Sequence, residues 1–226
     1  GDYRHNPERK YWSGGLDATY RWGYYKNIKY SLRHLDKFYL RHYVNRDVSN
    51  KLLEPCAFSD QNQSMTLTQK LGRQGWISLS AGYLQRYYDN PFTEFDLDIV
   101  YTRGKINKRV KKVGTVAFQF ERGHATNVTF KKTAKASGFN RSYETIEWYL
   151  PIKVQKRIPF LNEIGVSTRV ETRVYEAEDP DDPLHSGRNH VDSKYDLWVK
   201  KNLTESMNVT LSGRYRTRVT ESAYDW

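Results

Sequence analysis

Residues 146–175 read IEWYLPIKVQKRIPFLNEIGVSTRVETRVY and contain two stretches in which apolar and polar residues alternate. The first stretch covers 146–155 and the second covers 164–175, on either side of a short polar and basic break. A period of two places one set of side chains on each face of a β-strand. Each stretch has the length that a tilted strand needs to cross a bilayer, roughly 9–11 residues. The segment therefore predicts a β-hairpin, which belongs either to a soluble sheet with one wet face or to a membrane sheet.

The same alternation recurs along most of the chain. It fails briefly at His34-Leu35-Asp36, where a β-bulge is expected, and it is weak from Met65 to Leu71. Further alternating stretches lie at 16–25, 28–33, 77–84, 94–101, 115–121, 195–199 and 207–216. Turn signals separate them, the first at Lys26-Asn27. This pattern predicts about ten strands.

The predicted connections alternate in length. Short turns are expected at 26–27, 72–75, 156–163 and 202–206, connections of medium length at 87–92 and 104–112, and long polar connections at 44–63, 123–142 and 176–192, so that short and longer connections nearly alternate. Outer-membrane barrels sort their connections in this way, with short periplasmic turns and longer outer loops. Tyr and Trp also concentrate near the predicted strand ends, where interfacial girdles lie. We therefore expect an all-β fold, an antiparallel up-and-down transmembrane β-barrel, as a single domain over residues 1–226.

Composition restricts the class of protein further. Hydrophobic residues make up 38% of the chain, the mean hydropathy is −0.86, and no apolar run approaches 18 residues, which excludes a helical membrane protein. A barrel tolerates this composition because only every second residue of a strand must be apolar. The formal net charge of +11 either serves solubility or indicates an anionic partner such as nucleic acid, lipopolysaccharide or an acidic glycan. Cys56 is the single cysteine, so no internal disulfide and no cysteine-based zinc site is expected.

The late part of the chain resembles the late hairpins of bacterial outer-membrane β-barrel proteins. The resemblance is carried by His185-Ser-Gly-Arg, by Tyr195-Asp-Leu-Trp-Val, and by Asn202-Leu-Thr-Glu-Ser-Met-Asn-Val-Thr-Leu-Ser-Gly-Arg-Tyr-Arg. It implies location in the bacterial outer membrane, contact with its lipid or lipopolysaccharide, and possible protein partners within the membrane. Size and inward-facing arginines are similar to those of sugar-acid porins of about twelve strands. Such proteins end on an apolar strand with a terminal aromatic residue, whereas Thr220, Ser222 and Tyr224 precede Trp226 here.

The order of the connections bears on whether the barrel is complete. If the short turns are periplasmic, the first predicted strand begins outside and the tenth ends outside. Barrels of this kind begin and end in the periplasm. We therefore expect that this chain is part of a larger barrel, with at least one further strand at each end. Gly1-Asp-Tyr-Arg-His does not have the form of a signal peptide.

The polar faces of the predicted strands would form the lumen. The basic candidates are Arg21, Lys29, Arg33, Arg86, Lys153, Arg169, Arg173, Lys200, Arg214 and Arg216. The acidic candidates are Asp17, Glu94, Asp96, Asp98, Glu121, Glu147, Glu171 and Asp196. This near balance predicts pairing across strands, which weakens the selectivity of a pore for anions. The excess positive charge then falls in connections, at Lys105, Lys108, Arg109, Lys111, Lys112, Lys131, Lys132 and Lys135. These clusters are either solvated turns or contacts for lipid phosphates and acidic sugars.

Catalysis has little support in the sequence. His185-Ser186 and His190 lie beside Asp181, Asp182 and Asp192, but no spacing identifies a nucleophile, a base and an orienting acid. The segment 179–183 (DPDDP) has carboxylates but not the glycine and bidentate glutamate of an EF-hand calcium loop. Phosphate-binding loops and RNA-binding aromatic signatures are absent from the sequence. We therefore expect no enzyme, no cofactor, no metal and no nucleic acid partner.

Three functions remain compatible with the sequence. The first is an outer-membrane channel for uptake or export of a polar or anionic solute. The second is a barrel whose paired lumen charges close it, and which serves as a structural or assembly partner in the membrane. The third is a soluble basic β-protein that binds an anionic polymer. Dependence on detergent distinguishes the third from the others, and single-channel conductance distinguishes the first from the second.

Overall fold

The computed structural model describes residues 9–45, 48–49, 51–111, 113–129, 140–155, 160–178 and 186–222. These residues form one sheet of ten strands, and no α-helix occurs among them. The strands are β1 (Trp12–Gly23), β2 (Lys26–Val44), β3 (Leu53–Leu71), β4 (Gly75–Tyr88), β5 (Leu97–Val110), β6 (Gly114–Asn127), β7 (Tyr143–Val154), β8 (Glu163–Tyr175), β9 (Asn189–Asn202) and β10 (Asn208–Glu221). The predicted all-β class is therefore confirmed, and so is the predicted number of strands.

Each strand pairs antiparallel with its neighbours in the chain, in the order β1 to β10. The sheet is a continuous meander, as the up-and-down prediction requires. Within the described residues β1 pairs only with β2 and β10 pairs only with β9, so the sheet is not closed. None of the described residues forms a helix long and apolar enough to cross a membrane.

The hairpin predicted from residues 146–175 forms as β7 and β8. Ile146 pairs with Thr172, Trp148 with Val170, and Ile152 with Val166. Each of these pairs lies on the same face of the sheet, because the register keeps the two alternating patterns in phase. The strand register therefore places the apolar residues of both strands on the same face, as their alternation in the sequence predicts.

The connections fall into two groups at opposite ends of the sheet. At one end they are short and cover 24–25, 72–74, 111–113, 155–162 and 203–207; we call this the short-turn end. At the other end they cover 45–52, 89–96, 128–142 and 176–188; we call this the long-loop end. The predicted sorting of connections by length is therefore present, although the 155–162 connection is as long as two of those at the long-loop end.

Several predicted connections are in fact strand, so the strands are longer than the sequence suggested. Most of the polar segment 44–63 belongs to the end of β2 and the start of β3, and the basic segment 104–112 belongs mainly to β5. The segments 123–142 and 176–192 also give residues to β6 and β9. The first turn lies at Tyr24-Tyr25, not at Lys26-Asn27. Ladder hydrogen bonds to neighbouring strands extend the sheet into stretches that have no apolar alternation of their own.

The bulge expected at His34-Leu35-Asp36 is confirmed. The register between β2 and β3 shifts between Leu35 and Phe38, and Lys37 has a positive φ of 50°. The Lys37 backbone N–H donates to Ser59 Oγ at 3.1 Å, and the Ser59 hydroxyl donates to Asp36 Oδ1 at 3.1 Å. The serine thus satisfies the backbone group that the bulge removes from the ladder.

The sheet has an apolar face that nothing in the structure covers. Leu67, Leu79, Phe118, Leu197 and Leu211 are between 44% and 72% exposed. Buried side chains instead lie near the long-loop end, and they include Cys56, Phe58, Phe92, Leu97, Ala125 and Ala177. This distribution is the opposite of a soluble sandwich, in which the aliphatic faces of two sheets would cover each other.

The apolar band shifts along the strands from one edge of the sheet to the other. The hydrogen-bonded row that contains Leu16 of β1 reaches β10 at its last residue, Glu221. The row that contains Leu211 of β10 passes through Val154 and Val110, and it lies beyond the end of β1. The band is therefore oblique to the hydrogen-bonded rows.

Candidate functional site

The face opposite the apolar band is lined with polar side chains, and we call it the polar face. One hydrogen-bonded row crosses it from β1 to β10. Its members are Thr19, Lys29, Thr66, Ser80, Arg103, Glu121, Glu147, Glu171, Asp192 and Arg218. Every side chain in this row can donate or accept a hydrogen bond, and acids and bases are segregated along it.

Four adjacent strands, β6 to β9, place acids side by side in this row: Glu121, Glu147, Glu171 and Asp192. Carboxylates directly opposite one another on neighbouring strands repel. Basic side chains, which lie in the same row and in the rows on either side, offset this repulsion.

Each acid of the row has an arginine partner. Arg103 Nε lies 2.5 Å from Glu121 Oε2, Arg169 Nη1 lies 3.7 Å from Glu147 Oε2, and Arg173 Nη2 lies 2.9 Å from Glu171 Oε1. The Asp192 carboxylate accepts hydrogen bonds from both Arg216 and Arg218 of the edge strand β10. The acids and arginines of β5 to β10 thus form one charge network that neutralises the middle of the polar face.

Two smaller groups of charges lie on β1 to β4. Asp17 bridges Lys29 at 3.2 Å and Arg33 at 2.6 Å. Arg86 makes a two-pronged contact with Asp60, with Nε and Nη2 each 2.8 Å from a carboxylate oxygen. The bidentate geometry fixes the guanidinium plane as well as its position.

Eleven of the lumen candidates predicted from sequence share this face: Arg21, Lys29, Arg33, Arg86, Lys153, Arg169, Arg173, Arg214, Arg216, Glu147 and Glu171. The other predicted members Asp17, Glu121, Asp196 and Lys200 lie there as well. Arg214 pairs with Asp196 at 2.6 Å, and Lys153 lies 5.7 Å from the ring centre of Trp198. Arg21 has no ion-pair partner among the described residues.

Three predicted members are placed elsewhere. Asp98 lies on the apolar face, where it accepts a hydrogen bond from the Tyr87 hydroxyl at 2.9 Å. Glu94 lies in the short 3-10 helix Thr93–Phe95, and Asp96 follows it, so both belong to the long-loop end and not to a strand. The sequence assigned the faces of β5 in reverse: its residues Leu97, Ile99 and Tyr101 lie on the polar face.

The reversal on β5 has a physical cause. Leu97 is only 9% exposed, whereas Val100 on the opposite face is 56% exposed. At this height the polar face is itself filled by aromatic and aliphatic side chains from the long-loop end, so apolar residues on that face are buried. From sequence, an alternation that is apolar on the buried face cannot be distinguished from one that is apolar on the uncovered face.

Sequence reasoning missed several charged residues of the polar face, among them Arg103, Asp192 and Arg218 of the charge network and Asp60 on β3. Asp192 fell in the segment 176–192, which was assigned to a connection, and Arg103 lies between the predicted strand 94–101 and the predicted connection 104–112. A signal for Asp192 exists, because Asp192, Lys194 and Asp196 alternate with Val191, Ser193 and Tyr195 and so extend the β9 pattern backwards. No comparable signal marks Asp60, which lies in a polar stretch.

Aromatic rings and arginines close the long-loop end of the polar face. Phe58 is in ring contact with Phe38 and Tyr88, at 5.6 and 5.4 Å between centroids. The Arg86 guanidinium lies 4.4 Å from the centre of the Phe58 ring, and that of Arg141 lies 4.3 Å from the centre of the Phe95 ring. Stacked guanidinium groups add cation–π attraction to the packing of the rings. This end is therefore packed rather than open.

Asp96 lies at the border of this packed region, outside the strands. Burial raises the pKa of its carboxyl above the usual value, and the neighbouring charge of Asp98 acts in the same direction. The Tyr88 backbone N–H donates to Asp96 Oδ1 at 2.7 Å and opposes the shift. Burial therefore disfavours the ionised form of the Asp96 carboxyl relative to its protonated form.

The residues that invited a catalytic or metal interpretation are not assembled in the described structure. His190 lies within β9, is 5% exposed, and pairs with Arg173 in the ladder. No group of three or more His, Cys, Asp or Glu side chains is arranged to hold a metal ion in the described ranges. His185, Asp181, Asp182 and the 179–183 segment lie outside the described residues, as do Lys112, Lys131, Lys132 and Lys135.

No protein-family model matches the chain, and no curated protein or solved structure matches it either.

Proposed function

We propose that the ten strands form the wall of an outer-membrane β-barrel in which the polar face lines the lumen. The barrel is a channel for a polar or anionic solute. The observation that carries the proposal is the division of one sheet into an uncovered apolar face and an ion-paired polar face. Soluble monomers seldom expose a contiguous apolar patch above ~600 Å². In a bilayer the same surface would be covered by lipid chains.

The height of the apolar band agrees with this proposal. On β8 the residues Ile164, Val166, Val170 and Val174 lie on the apolar face over ten residue steps. Ten steps of an antiparallel strand span ~34 Å, and a tilt of ~40° reduces the height to ~26 Å. The apolar band of outer-membrane barrels is ~25 Å high. Strand length and band height are thus matched to a membrane.

The oblique course of the band supports tilted strands. Closure of a sheet into a barrel requires strands that tilt from the axis, with a stagger in the hydrogen-bond register. A band that is level with the membrane then crosses successive strands at different residues. The shift of the apolar band from the row of Leu16 to the row of Leu211 follows this rule.

A closed barrel with a structural or assembly role is the second candidate. It is favoured by the long-loop end, where Phe58, Phe95 and their arginine partners fill the polar face. Most charges of the charge network are also paired; Arg103, Arg169 and Arg216, for example, each contact a carboxylate. A barrel of this kind would insert into a membrane and carry no steady current.

The membrane assignment is tested by quenching of tryptophan emission in vesicles that contain brominated lipid chains. Trp148 lies on the apolar face and Trp198 on the polar face. We expect Trp148→Phe to reduce the amount of emission that the brominated chains quench, and Trp198→Phe, its matched control, to leave that amount unchanged. Equal behaviour of the two variants, or a chain that stays in solution without detergent, would refute the proposal. Conductance in planar bilayers then separates the channel from the closed barrel.

A further inference from the structure

A cavity of about 490 Å³ lies at the short-turn end of the sheet, between the first three short turns. Its lining includes Tyr25, Lys70, Arg73, Trp76, Arg109 and Lys111. We call this cavity the turn pocket. It is separate from the charge network of β5 to β10, which occupies the middle of the strands.

The walls of the turn pocket are held by ladder and turn contacts. Lys70 pairs with Trp76 across β3 and β4, and the Arg109 backbone N–H donates to the Gln74 carbonyl oxygen at 2.7 Å. The rings of Tyr25 and Trp76 stack with centroids 4.4 Å apart and an angle of 7° between their planes. Three hairpins therefore meet at one site, and an aromatic stack forms part of its wall.

The charge of the turn pocket is uncompensated. Its lining contains four basic residues and no aspartate or glutamate. Within the described part of the chain, none of Lys70, Arg73, Arg109 and Lys111 forms an ion pair. The arginines of the charge network, by contrast, are engaged by carboxylates. Basic side chains that are clustered without acids repel one another and attract anions.

We propose that the turn pocket binds an anionic group, a phosphate or a carboxylate, at the short-turn mouth of the barrel. Arginine presents paired N–H donors that match the oxygens of both groups, and lysine adds a mobile point charge. The aromatic stack excludes water from one side of the pocket and so strengthens the attraction. The inference names a ligand class for the channel and in that respect rests on the proposed function, but binding can be measured without a pore.

The binding test uses the full chain refolded in zwitterionic detergent and titrated with inorganic phosphate, with chloride replaced to keep ionic strength constant. Tryptophan emission reports binding, and Trp76→Phe identifies the reporter by abolishing the response. We expect a saturable response whose apparent Kd rises at least about tenfold in Arg73→Gln/Arg109→Gln, because two charge-assisted contacts are lost. Lys51→Gln/Lys201→Gln removes the same two positive charges outside the turn pocket and should bind as the unaltered chain does.

The source of the anion is resolved by repeating the titration in vesicles of phosphatidylcholine, with or without phosphatidylglycerol. Loss of the phosphate response only in the anionic vesicles identifies lipid headgroups as the ligand, whereas an equal response in both identifies a free solute. Equal binding by Arg73→Gln/Arg109→Gln and the unaltered chain, or no saturable binding by equilibrium dialysis, overturns the inference. If binding fails while Trp148 is quenched by brominated lipid, the membrane proposal still stands.

Discussion

The side chain of Tyr101 on β5 crosses over β4 at Gly82, and its hydroxyl donates to Asn62 Oδ1 on β3 at 3.0 Å. The contact joins strands that are not neighbours in the sheet. It is possible because Gly82 has no side chain: a Cβ at that position would lie 2.2 Å from Tyr101 Cζ. A small residue on one strand thus makes room for a hydrogen bond between its two neighbours.

Gly82→Ala is expected to displace the Tyr101 ring and break its hydrogen bond to Asn62. Overpacking of this kind costs about 1–3 kcal/mol. Unfolding by urea in detergent, followed by tryptophan emission, measures the loss of stability. Gly104→Ala is the matched control, because a Cβ there would meet only Leu79 Cδ2, at 3.8 Å. The double variant Gly82→Ala/Tyr101→Ala should show less than the sum of the two single effects. Additive effects would contradict the crossing contact.

Asp192→Asn is expected to weaken the pairing of β9 with the edge strand β10. The Asp192 side chain is 4% exposed and accepts from Arg216 and Arg218, so the variant leaves two guanidinium groups directed at a neutral partner. Loss of a buried charged acceptor costs about 1–3 kcal/mol. Asp17→Asn should cost less, because Asp17 and Arg33 are exposed and solvent screens their attraction. Equal urea midpoints for the two variants would show that the burial of Asp192 does not strengthen its ion pairs relative to the exposed pair of Asp17.

Leu67→Lys and Thr68→Lys place the same charge on adjacent residues of β3 that face opposite sides of the sheet. Leu67 lies beside Ile28 and Leu79 on the apolar face, whereas Thr68 lies beside Asn27 and Ser78 on the polar face. A lysine on the lipid face of a barrel costs about 2–4 kcal/mol near the midplane of the bilayer. We expect refolding into vesicles to fail or weaken for Leu67→Lys alone. Similar refolding yields would indicate that Leu67 faces water.

Asp96→Asn is expected to change how stability depends on pH. Because burial raises the folded-state pKa above the ordinary 3.8, the folded state retains a proton that the unfolded state has lost. The contribution of Asp96 to the free energy of unfolding therefore falls as pH rises from about 3.8 to the folded-state pKa, and it remains lower at higher pH. The advantage of Asp96→Asn over the unaltered chain should grow across that window and then become constant. Urea midpoints at successive pH values measure it, and a difference that shrinks with rising pH would refute the assigned direction.

Much of the sheet was predictable because alternation is a local property. The hairpin of residues 146–175, the bulge after Leu35 and the turn at Gly72 each follow from neighbouring residues alone. Most of the lumen candidates share one face of the sheet for the same reason. The candidate site was therefore visible as a set of side chains, although the partner of each charge was not.

The errors arose where neighbouring strands and the long-loop end overrule the local pattern. The start of β3 has little alternation of its own and becomes strand through its ladder with β2. Asp98 faces away from the other acids because Leu97, its neighbour in the strand, is buried on the polar face. Asp192 was assigned to a connection, whereas β9 already begins at Asn189 through its ladder with β8 and β10.

The sequence by itself determined that this chain forms strands with one apolar and one polar face, because successive side chains of an extended backbone point to opposite sides. Only the tertiary structure decided which acid meets which arginine, since those pairs depend on the register between strands far apart in the chain. The same holds for the turn pocket, where Tyr25, Trp76 and Arg109 come from three hairpins. Local geometry assigns a side chain to a face, whereas its neighbours on that face are set by long-range hydrogen bonding.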